Sequence, residues 1–491
     1  MVGRATRQPA GTTEFRMSTD TTTDIHVQPA GRRSAEGSGS PFPFLALGLA
    51  GVAILLSAQI YYFMKLDDIT AELTGPGRIL SVIFGCSFLI FTFISATRYS
   101  IMMAFAYLGW SKSKTFQKLQ PKVWPKVSIL VPAYNEAPRI ERSLQSMLEL
   151  DYPSLEIVVV DDGSSDDTFK IASQFTGTHG GIHIRVLRKA NGGKSSALNL
   201  AFRESSGDFV LCVDADSHLD TAAARKLIRP FANPRIGAVA GQVRVRNRQN
   251  LITRLQALEY TLMNGMPRFA QSHFNSVLIS PGPISMFRRS VLNQVAERWG
   301  RRRREADRSP GYVEGPWEND TFAEDADLTL NVLMTHHGIV YEPEAISFTA
   351  APTWTFSLLN QRYRWLRGNV QAINKVWHRW RDTPGSPAGL PIWMGVFLVE
   401  QAVWPFVNIF GLIMFAALLA SVGTAGPVLY WFAYLLLIDL NAAAFSVRVE
   451  RESRSLLLFS PLFRMLYNVI LDVNTLIALT DEFRGKRMTW S

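Results

Sequence analysis

Asp214 and Asp216 follow directly on a short apolar run, residues 209–212. An aromatic and β-branched run of that length is typical of a buried parallel strand, and open α/β sheets bind ligands at the carboxyl ends of such strands. Because alternate residues of an extended chain point the same way, the two carboxylates could share one divalent cation. Oxygen ligands suit Mg²⁺ or Mn²⁺, which keep positions open for phosphates. The stretch predicts a metal-bridged diphosphate site, although a solvated strand end has the same pattern.

More polar side chains are expected at the same sheet edge. Apolar runs at residues 127–131 and 155–160 predict two strands, and the helical spacing of apolar residues over 140–148 predicts a helix between them. This order indicates an α/β fold built of βαβ units on a parallel sheet. The turns after the strands carry four acceptors or aromatic groups suited to a nucleoside: Tyr134, Glu136, Asp161 and Asp162. Helix capping is the alternative for Asp162 and the preferred prediction for Asp166.

A glycine pair precedes another predicted helix, in the stretch Asn191-Gly192-Gly193-Lys194. Glycines there free backbone N–H groups to approach an anion, and Lys194 adds a positive charge. The stretch is not a P-loop, because Arg188 stands where the first glycine of that motif belongs. We predict a diphosphate-contacting loop of another kind, and a plain helix N-terminus explains the local residues equally well.

Asp325 is the candidate general base. It lies in Ala323-Glu324-Asp325, at the predicted start of a helix that ends near His336, with Gly338 as its C-cap. An inverting transfer between sugars needs a carboxylate to take the proton of the attacking hydroxyl, and no covalent intermediate. The alternative is that these acids only favour the positive end of the helix dipole. Upstream, residues 237–245 predict a strand and residues 280–288 a loop bordering a sugar.

Three residues farther on share one face of a predicted helix, since Gln361, Arg364 and Trp365 fall at i, i+3 and i+4. An indole face beside an amide and a guanidinium suits a sugar ring and a phosphate. An amphipathic helix lying on a bilayer has the same composition, and that interpretation covers Trp377 and Trp380 better.

Apolar residues are concentrated at the two ends of the 491-residue chain. Residues 42–64 and 79–97 are uncharged and predict two membrane helices, and residues 393–419, 428–445 and 455–479 predict three more. The last segment contains Pro461, Arg464 and Asp472, and could break in two or be re-entrant. Glu400 and Asp439 stand in apolar surroundings, where a helix–helix hydrogen bond and a role in translocation are equally good explanations.

Basic residues before the first helix and after the second predict that both flanks and the large polar domain are cytoplasmic, whereas the connection between the helices is acidic, with Asp67, Asp68 and Glu72. The net charge of +10 then belongs mainly to the membrane surface rather than to a nucleic-acid site. Arginines 301–304 are read as a solvated or lipid-facing loop, and the two cysteines indicate no disulfide framework or zinc site. A basic C-terminal tail also favours the cytoplasm, which conflicts with three crossings after the domain.

The predicted organisation has six segments: a disordered N-terminus over 1–41, two membrane helices over 42–107, a catalytic domain over 120–355, interface helices over 356–388, about three membrane helices over 389–480 and a tail over 481–491.

Four motifs occur in a fixed order between the predicted membrane helices: Asp161-Asp162-Gly163-Ser164, Asp214-Ala215-Asp216, Glu324-Asp325 and Gln361 to Trp365. In this order they resemble the motifs of the processive family 2 glycosyltransferases, which are the cellulose, chitin, hyaluronan and poly-N-acetylglucosamine synthases. The resemblance implies a GT-A fold, a UDP-sugar donor, Mg²⁺ or Mn²⁺, inversion to a β-linkage, and extrusion of the growing glycan across a bacterial-type inner membrane. It implies that Tyr134, Glu136, Asp161, Asp162 and Lys194 hold the nucleotide, that Asp214 and Asp216 serve UDP and metal, that Asp325 is the base, and that Gln361, Arg364 and Trp365 bind diphosphate and acceptor.

Two departures from the family pattern concern the acceptor side. Ala323 replaces the usual threonine before the acidic pair, and Ser280-Pro281-Gly282-Pro283 is proline-rich, so sugar and linkage stay open. The expected partners are the donor, the glycan and the lipid bilayer, with an accessory export or regulatory subunit as a further candidate and no nucleic acid. Two other functions stay open: a single transfer to a lipid carrier, and a catalytically silent scaffold or export subunit.

Overall fold

The computed structural model describes residues 27–29, 40–65, 76–300, 311–422 and 426–486. The predictions for the disordered N-terminus, for the acidic connection and for arginines 301–304 fall largely or wholly outside these described residues.

The strands of the described residues are β1 Val27–Pro29, β2 Leu119–Pro121, β3 Val127–Ala133, β4 Leu155–Asp161, β5 Gly177–His179, β6 Ile182–Arg188, β7 Phe209–Cys212, β8 His218–Leu219, β9 Ile236–Val245, β10 Ser285–Arg288 and β11 Gly338–Thr349.

The α-helices of the same residues are α1 Phe42–Met64, α2 Pro76–Gln117, α3 Ile140–Leu148, α4 Thr168–Ser173, α5 Lys194–Glu204, α6 Ala223–Leu227, α7 Leu251–Asn264, α8 Met266–His273, α9 Arg289–Val295, α10 Glu324–Met334, α11 Thr355–Asp382, α12 Leu390–Leu398, α13 Trp404–Val422, α14 Gly426–Val449, α15 Ser460–Leu462 and α16 Asn468–Phe483. Short 3₁₀ turns span Arg229–Ala232 and Arg454–Phe459, and single π turns span Ala296–Gly300, Val399–Val403 and Phe463–Tyr467.

The main sheet is mixed, with the strand order β5-β6-β4-β3-β7-β10-β9-β11-β8 over the described residues. Strands β6, β4, β3 and β7 are parallel, as the βαβ pattern predicts. The parallel arrangement expected from the sequence does not extend over the whole sheet, because β10 runs antiparallel between β7 and β9. The predicted loop over 280–288 accordingly ends in a strand. Four residues between a proline-rich turn and a helix gave no sign of strand direction in the sequence.

The central strands are buried along their whole length, which explains their continuous β-branched and aliphatic runs. One apolar cluster, which includes Ile129 and Val159, covers one face of the sheet. The cluster on the other face, which includes Leu130 and Val158, continues into the apolar helices α2 and α14 through Phe91 and Tyr434. The sheet and the membrane helices therefore share one core.

Helix α2 is 42 residues long and carries the chain from the apolar segment into the polar domain without a break. It approaches α8 so closely at Gly109 that a Cβ there would overlap the carbonyl oxygen of Phe269. Three residues on, Lys112 donates to the carbonyl oxygens of Ser272 and His273, at 3.1 and 2.9 Å, which closes the C-terminal end of α8. These contacts fix the domain against the membrane helix.

In the part of the chain that the structure describes, four helical segments are long and apolar enough to cross a membrane: Phe42–Tyr61, Gly85–Gln117, Leu390–Ile413 and Arg454–Phe483. They match four of the five predicted segments. The fifth, over 428–445, lies in α14, a 24-residue helix that is not among the four candidates. The last segment is broken by a 3₁₀ turn and a π turn before α16, in line with the irregularity expected around Pro461.

The carboxylates inside the apolar segments have cationic partners. Glu400 accepts hydrogen bonds from the guanidinium of Arg98, and Asp439 lies 3.4 Å from that of Arg464. Asn408 donates to Asp472 at 3.1 Å. Such pairs hold helices together in an apolar medium, so the helix–helix explanation has direct structural support. A role of Glu400 or Asp439 in translocation stays a prediction.

The C-terminal end of α16 lies against α11. Tyr363 donates to Asp481 at 2.8 Å, and Arg367 pairs with Glu482 at 2.6 Å. The described end of the chain, up to residue 486, therefore lies beside the polar domain, and its location in the cytoplasm stays a prediction. The packing of α16 against α11 determines the position of this end, so it does not depend on how many of the apolar segments cross the membrane.

Candidate functional site

Strands β3, β4 and β7 end at one edge of the sheet, and their polar turns meet there. Tyr134 is half exposed after β3. Asp161 is fully buried at the end of β4, with Oδ2 3.1 Å from the Nε atom of Arg188, and its Oδ1 atom has no hydrogen-bond partner among the described residues. Asp166 accepts the N–H of Thr168, the first residue of α4, at 3.0 Å, but the N-cap position is Asp167, whose side chain makes no capping hydrogen bond, so the predicted capping role of Asp166 is displaced by one residue.

Asp162 organises the glycine loop. Its carboxylate accepts the N–H groups of Gly192 and Gly193, at 3.1 and 2.8 Å, and the ammonium of Lys189 at 2.5 Å. The expectation that the glycines leave free N–H groups for a diphosphate is therefore wrong for these two, because the anion that they bind is this aspartate. Gly193, with a φ of 87°, adopts the left-handed conformation that lets both N–H groups converge.

Lys194, the first residue of α5, joins two distant parts of the site. Its ammonium lies 2.8 Å from Asp214, after β7, and 2.7 Å from Glu324, at the start of α10. All three side chains line one cavity, together with Asp325. Four residues from three sequence regions thus surround a single space.

The loop before β10 forms another wall of this cavity. A Cβ added to Gly282 would lie 3.0 Å from the Lys194 ammonium, so a larger residue would require that ammonium to shift. The N–H of Ser280 donates to Thr329 of α10 at 3.0 Å, which ties the loop to that helix. Arg288, at the far end, is buried and donates to the carbonyl oxygen of Phe231 at 3.1 Å, so it supports the sheet and not a sugar.

Asp214, Asp216 and Glu136 form an acidic group at the edge of the cavity. Burial, and then the charge of Asp214, raises the pKa of Asp216. Burial also raises the pKa of Glu136, which feels both aspartates, although Arg139 at 2.7 Å opposes the shift. This crowding of negative charge is the environment that a divalent cation relieves.

No group of three or more potential metal ligands occurs among the described residues. Mg²⁺ and Mn²⁺ are commonly held by one or two carboxylates together with substrate phosphates. Lys194 lies against the Oδ1 atom of Asp214, and the Oδ1 atom of Asp216 accepts only from Ser217 at 3.2 Å. The carboxylate pair therefore fits a cation that binds together with a diphosphate.

Asp325 is half buried in the first turn of α10 and accepts the N–H of Ala326 at 2.8 Å. Burial raises its pKa to about 6, and the charge of Glu324 adds to the shift while Lys194 opposes it. A carboxylate with this pKa is mostly ionised at neutral pH and still basic enough to accept a proton. Its side chain faces the cavity, as the prediction requires.

Helix α10 is clamped to α11 by buried charges. Lys375 lies 2.7 Å from Asp327 and 2.6 Å from Asp320, and Arg379 forms a two-pronged pair with Glu318 at 2.7 and 2.8 Å. Burial raises the pKa of Asp327 to about 6, and Lys375 opposes the shift. This clamp fixes the helix that carries Asp325.

The C-terminal end of α10 differs from the prediction. The helix stops at Met334, and His336 takes the left-handed conformation with a φ of 65°. Gly338 is not the C-cap, since it begins β11.

Gln361, Arg364 and Trp365 lie on α11, with Arg364 exposed and the other two half buried. The Trp365 ring contacts Tyr260, with centroids 6.2 Å apart. Burial raises the pKa of Tyr260, and the Arg362 guanidinium, 5.5 Å from the centre of the Tyr260 ring, opposes the shift. Trp365 and Asp216 do not line the same cavity as Asp325; the motif helix flanks that cavity.

The sequence did not indicate Glu259, Tyr260 or the role of Arg362. The Arg362 guanidinium pairs with Glu259 at 2.8 and 2.7 Å and lies 4.2 Å from the centre of the Trp365 ring. The available signal was Glu259 between Leu258 and Tyr260 in helix α7, since a glutamate that is buried needs a cationic partner.

Comparisons with known proteins agree with this geometry. Residues 128–296 match the glycosyl transferase family 2 domain. A poly-β-1,6-N-acetyl-D-glucosamine synthase of Staphylococcus epidermidis is 30% identical over 293 residues, which are 58% of this chain and 66% of that protein. The synthase of Staphylococcus aureus strain COL is 29% identical over 248 residues, 50% of this chain and 55% of that protein. The chain thus spans between half and two thirds of the length of these relatives.

A solved structure shares the fold. The mannosyltransferase PcManGT from Pyrobaculum calidifontis, in complex with GDP-Man and Mn²⁺, superposes with a TM-score of 0.51 at 22% identity, over 79% of this chain and 99% of that one. The mixed sheet, the Asp-x-Asp turn after β7 and the matched residues agree, so the segment from 128 to 296 is a glycosyl transferase family 2 domain with a GT-A fold.

Proposed function

We propose that the protein is a processive, inverting β-glycosyltransferase that polymerises a UDP-N-acetylhexosamine and extrudes the product across the inner membrane. The observation that carries the proposal is the position of Lys194 between Asp214 and Glu324, in a cavity that Asp325 also lines. The Lys194 ammonium supplies a cation for a diphosphate, and Asp325 in the same cavity supplies a carboxylate that can act as a general base.

The nucleotide is assigned to the sheet edge. Asp161 has an unpaired, buried oxygen suited to a base N–H, and Tyr134 offers an exposed ring for stacking. Glu136 lies near the Asp-x-Asp pair, where a ribose hydroxyl could reach it. Asp162 acts through the glycine loop that it holds, which positions Lys194.

In the proposed reaction Asp325 takes the proton of an acceptor hydroxyl as that oxygen bonds to the anomeric carbon from the face opposite the diphosphate. The bond between the anomeric carbon and the diphosphate oxygen breaks, and UDP leaves with the electron pair. Lys194 and the exposed Arg364 stabilise the charge on the leaving group. Mg²⁺ or Mn²⁺ held by Asp214 and Asp216 would neutralise further diphosphate charge.

The acceptor is assigned to α11, where the Trp365 ring offers an apolar face to a terminal sugar and Gln361 an amide. Processive synthesis requires that the product stays bound near the site and enters the membrane, and the shared core of sheet and membrane helices supplies that continuity. The names of the two relatives favour N-acetylglucosamine and a β-1,6 linkage, so the attacking atom would be the 6-hydroxyl oxygen.

The test is synthesis by the purified full chain in proteoliposomes supplied with UDP-N-acetylglucosamine and Mn²⁺. We expect UDP release coupled to a long glycan that a β-1,6-specific hexosaminidase digests. Parallel reactions with UDP-glucose and UDP-glucuronic acid identify the sugar. Products limited to one added sugar on a lipid would favour a lipid-carrier transferase, and absence of both UDP binding and UDP release would favour a silent subunit.

A further inference from the structure

We infer that Arg362, Glu259 and Tyr467 form a positioning triad that holds the acceptor-binding face of α11 in place. The inference rests on the proposed function, since it concerns how Gln361 and Trp365 are presented to a sugar. The three residues lie on three different elements: Arg362 on α11, Glu259 on α7, and Tyr467 on the π turn Phe463–Tyr467 of the last apolar segment.

Glu259 is the centre of the triad. It receives two parallel hydrogen bonds from the guanidinium, Nε at 2.8 Å and Nη2 at 2.7 Å. The Tyr467 hydroxyl donates to the same carboxylate at 2.6 Å. The side chains of Arg362 and Glu259 are about nine tenths buried, and Tyr467 is buried as well. Fork-shaped pairing in a site that excludes water fixes both partners in one geometry.

The remaining contacts of Arg362 are with the acceptor motif itself. Nη1 donates to the Oε1 atom of Gln361 at 2.6 Å. This bond orients the Gln361 amide, which keeps its NH₂ donors and one lone pair of the oxygen for a ligand. The guanidinium carbon lies 4.2 Å from the centre of the Trp365 ring and 5.5 Å from that of the Tyr260 ring. The cation therefore packs against one face of the indole and helps to fix the orientation of the ring.

Arg362 therefore acts through Gln361 and Trp365 rather than on substrate. It does not line the cavity that holds Asp325. Lysine could supply the charge opposite Glu259, but it could not donate to Glu259 and Gln361 together while lying flat against an indole. Loss of the fork should loosen the acceptor face and leave the nucleotide edge intact, because the two are built on different elements.

The triad also joins the acceptor face to the membrane. Tyr467 belongs to the apolar segment Arg454–Phe483, and its hydroxyl reaches the charge pair at the base of Trp365. A shift of that segment would be transmitted to the indole through one hydrogen bond and one ion pair.

The experiment compares Arg362→Lys, Glu259→Gln and Tyr467→Phe with the unchanged full chain in proteoliposomes. Three quantities are measured: the dissociation constant of UDP, the rate of UDP release from UDP-N-acetylglucosamine with water as acceptor, and KM and kcat for an added β-1,6-linked N-acetylglucosamine oligosaccharide. We expect the oligosaccharide KM to rise about tenfold or more in Arg362→Lys and Glu259→Gln, and by a smaller factor in Tyr467→Phe. UDP binding and release to water should change by less than about twofold.

Arg367→Lys is the matched control. Arg367 is a buried arginine of the same helix that pairs with a membrane-segment carboxylate, Glu482, at 2.6 Å, but it contacts neither Gln361 nor Trp365 in the hydrogen bonds and ring contacts described. We expect this variant to keep the oligosaccharide KM even if its thermal stability falls.

Tyr467→Phe removes a single hydroxyl and keeps the test available if the charge variants do not fold. An unchanged oligosaccharide KM in the folded triad variants would overturn the inference, and so would an equal rise in Arg367→Lys. A parallel loss of UDP binding would show a general structural role instead. If the unchanged chain binds and hydrolyses UDP-N-acetylglucosamine but elongates no glycan, the proposed function itself is wrong. That result differs from a failure of the triad inference, in which the unchanged chain elongates a glycan and the variants do so with the same KM.

Discussion

Asp325 has the two properties that a general base needs: an opening to the cavity, and a pKa raised by burial to about 6. Its neighbour Glu324 is tied to Lys194, so the two carboxylates of the pair have different partners. The different surroundings thus give the two residues different roles: Asp325 can accept a proton, whereas Glu324 pairs with Lys194.

Replacing Asp325 with asparagine should lower the rate of glycan synthesis by about 10²–10⁴-fold, because the amide cannot accept the hydroxyl proton. In the unchanged chain kcat should rise with pH through about 6 and level off above it, since the base works in its ionised form. Rates of UDP release between pH 5 and 8 measure both effects. Asp167→Asn, at an exposed position, is the control, and full activity of Asp325→Asn would remove this residue from the role of base.

Asp216→Asn should raise the Mn²⁺ concentration needed for half-maximal UDP binding by about tenfold or more, because one of two carboxylate ligands becomes a weaker, uncharged one. Binding of UDP measured by calorimetry over a Mn²⁺ series gives the value without any need for turnover. Equal Mn²⁺ dependence in the variant and the unchanged chain would contradict the metal assignment.

Single residues were predictable where a local pattern determines their surroundings. Asp214 and Asp216 follow a buried strand, and Asp325 lies in the first turn of a helix. Their positions could therefore be predicted from the neighbouring residues in the sequence. The partners of Glu259 could not, because Arg362 is 103 positions away and nothing in the spacing links them. Long-range charge pairs depend on how helices cross, which apolar periodicity does not specify.

The elements around the site depend on polar clamps as well as on apolar packing. The glycine loop is held by Asp162, and α10 is held to α11 by Lys375 and Arg379. The sequence showed the strands and helices because their apolar runs are long. It did not show that β10 is antiparallel, because a run of four residues does not indicate strand direction. It also did not show that α10 stops at Met334, with the left-handed residue at His336 rather than at Gly338.

Asp162→Ala should weaken UDP binding by about tenfold, since the N–H groups of Gly192 and Gly193 and the Lys189 ammonium lose the carboxylate that positions them before Lys194. Calorimetry with UDP measures the change. Asp166→Ala removes the acceptor of the Thr168 N–H nearby and should lower stability without this loss of affinity. A UDP affinity that stays unchanged in Asp162→Ala would argue that the loop is held by its backbone alone.

Lys375→Met should destabilise the domain by about 3 kcal/mol, because Asp327 would be left buried without its cation. The unfolding temperature in detergent should fall, and kcat should fall with it, since α10 carries Asp325. Adding Asp327→Asn to this variant should restore part of the stability. Lys170→Met, in an exposed pair, should change neither quantity, and a similar loss there would show that the effect is not specific to the clamp.

Seen whole, the molecule is a sheet domain whose core continues into apolar helices at both ends of the chain. Helix α2 enters the domain and is fixed there at Gly109 and Lys112, and α16 returns to it at Tyr363 and Arg367. The sequence indicated the apolar segments by composition. The sequence could not show on which side of the membrane the C-terminal end lies, because a count of crossings treats the last apolar segment as one straight helix. In the structure that segment is interrupted by a 3₁₀ turn and a π turn.

The contact of α16 with α11 predicts that the C-terminal end and the sheet domain face the same compartment, and the basic flanks predict that this is the cytoplasm. Single cysteines at Arg484 and at Asp151, in a background with Cys86 and Cys212 replaced, can be tested with a membrane-impermeant maleimide. We expect both to react in inverted membrane vesicles and neither in intact spheroplasts. Labelling of the two positions from opposite sides would contradict the observed packing, whereas joint labelling from outside would leave the packing intact and reverse the orientation inferred from charge.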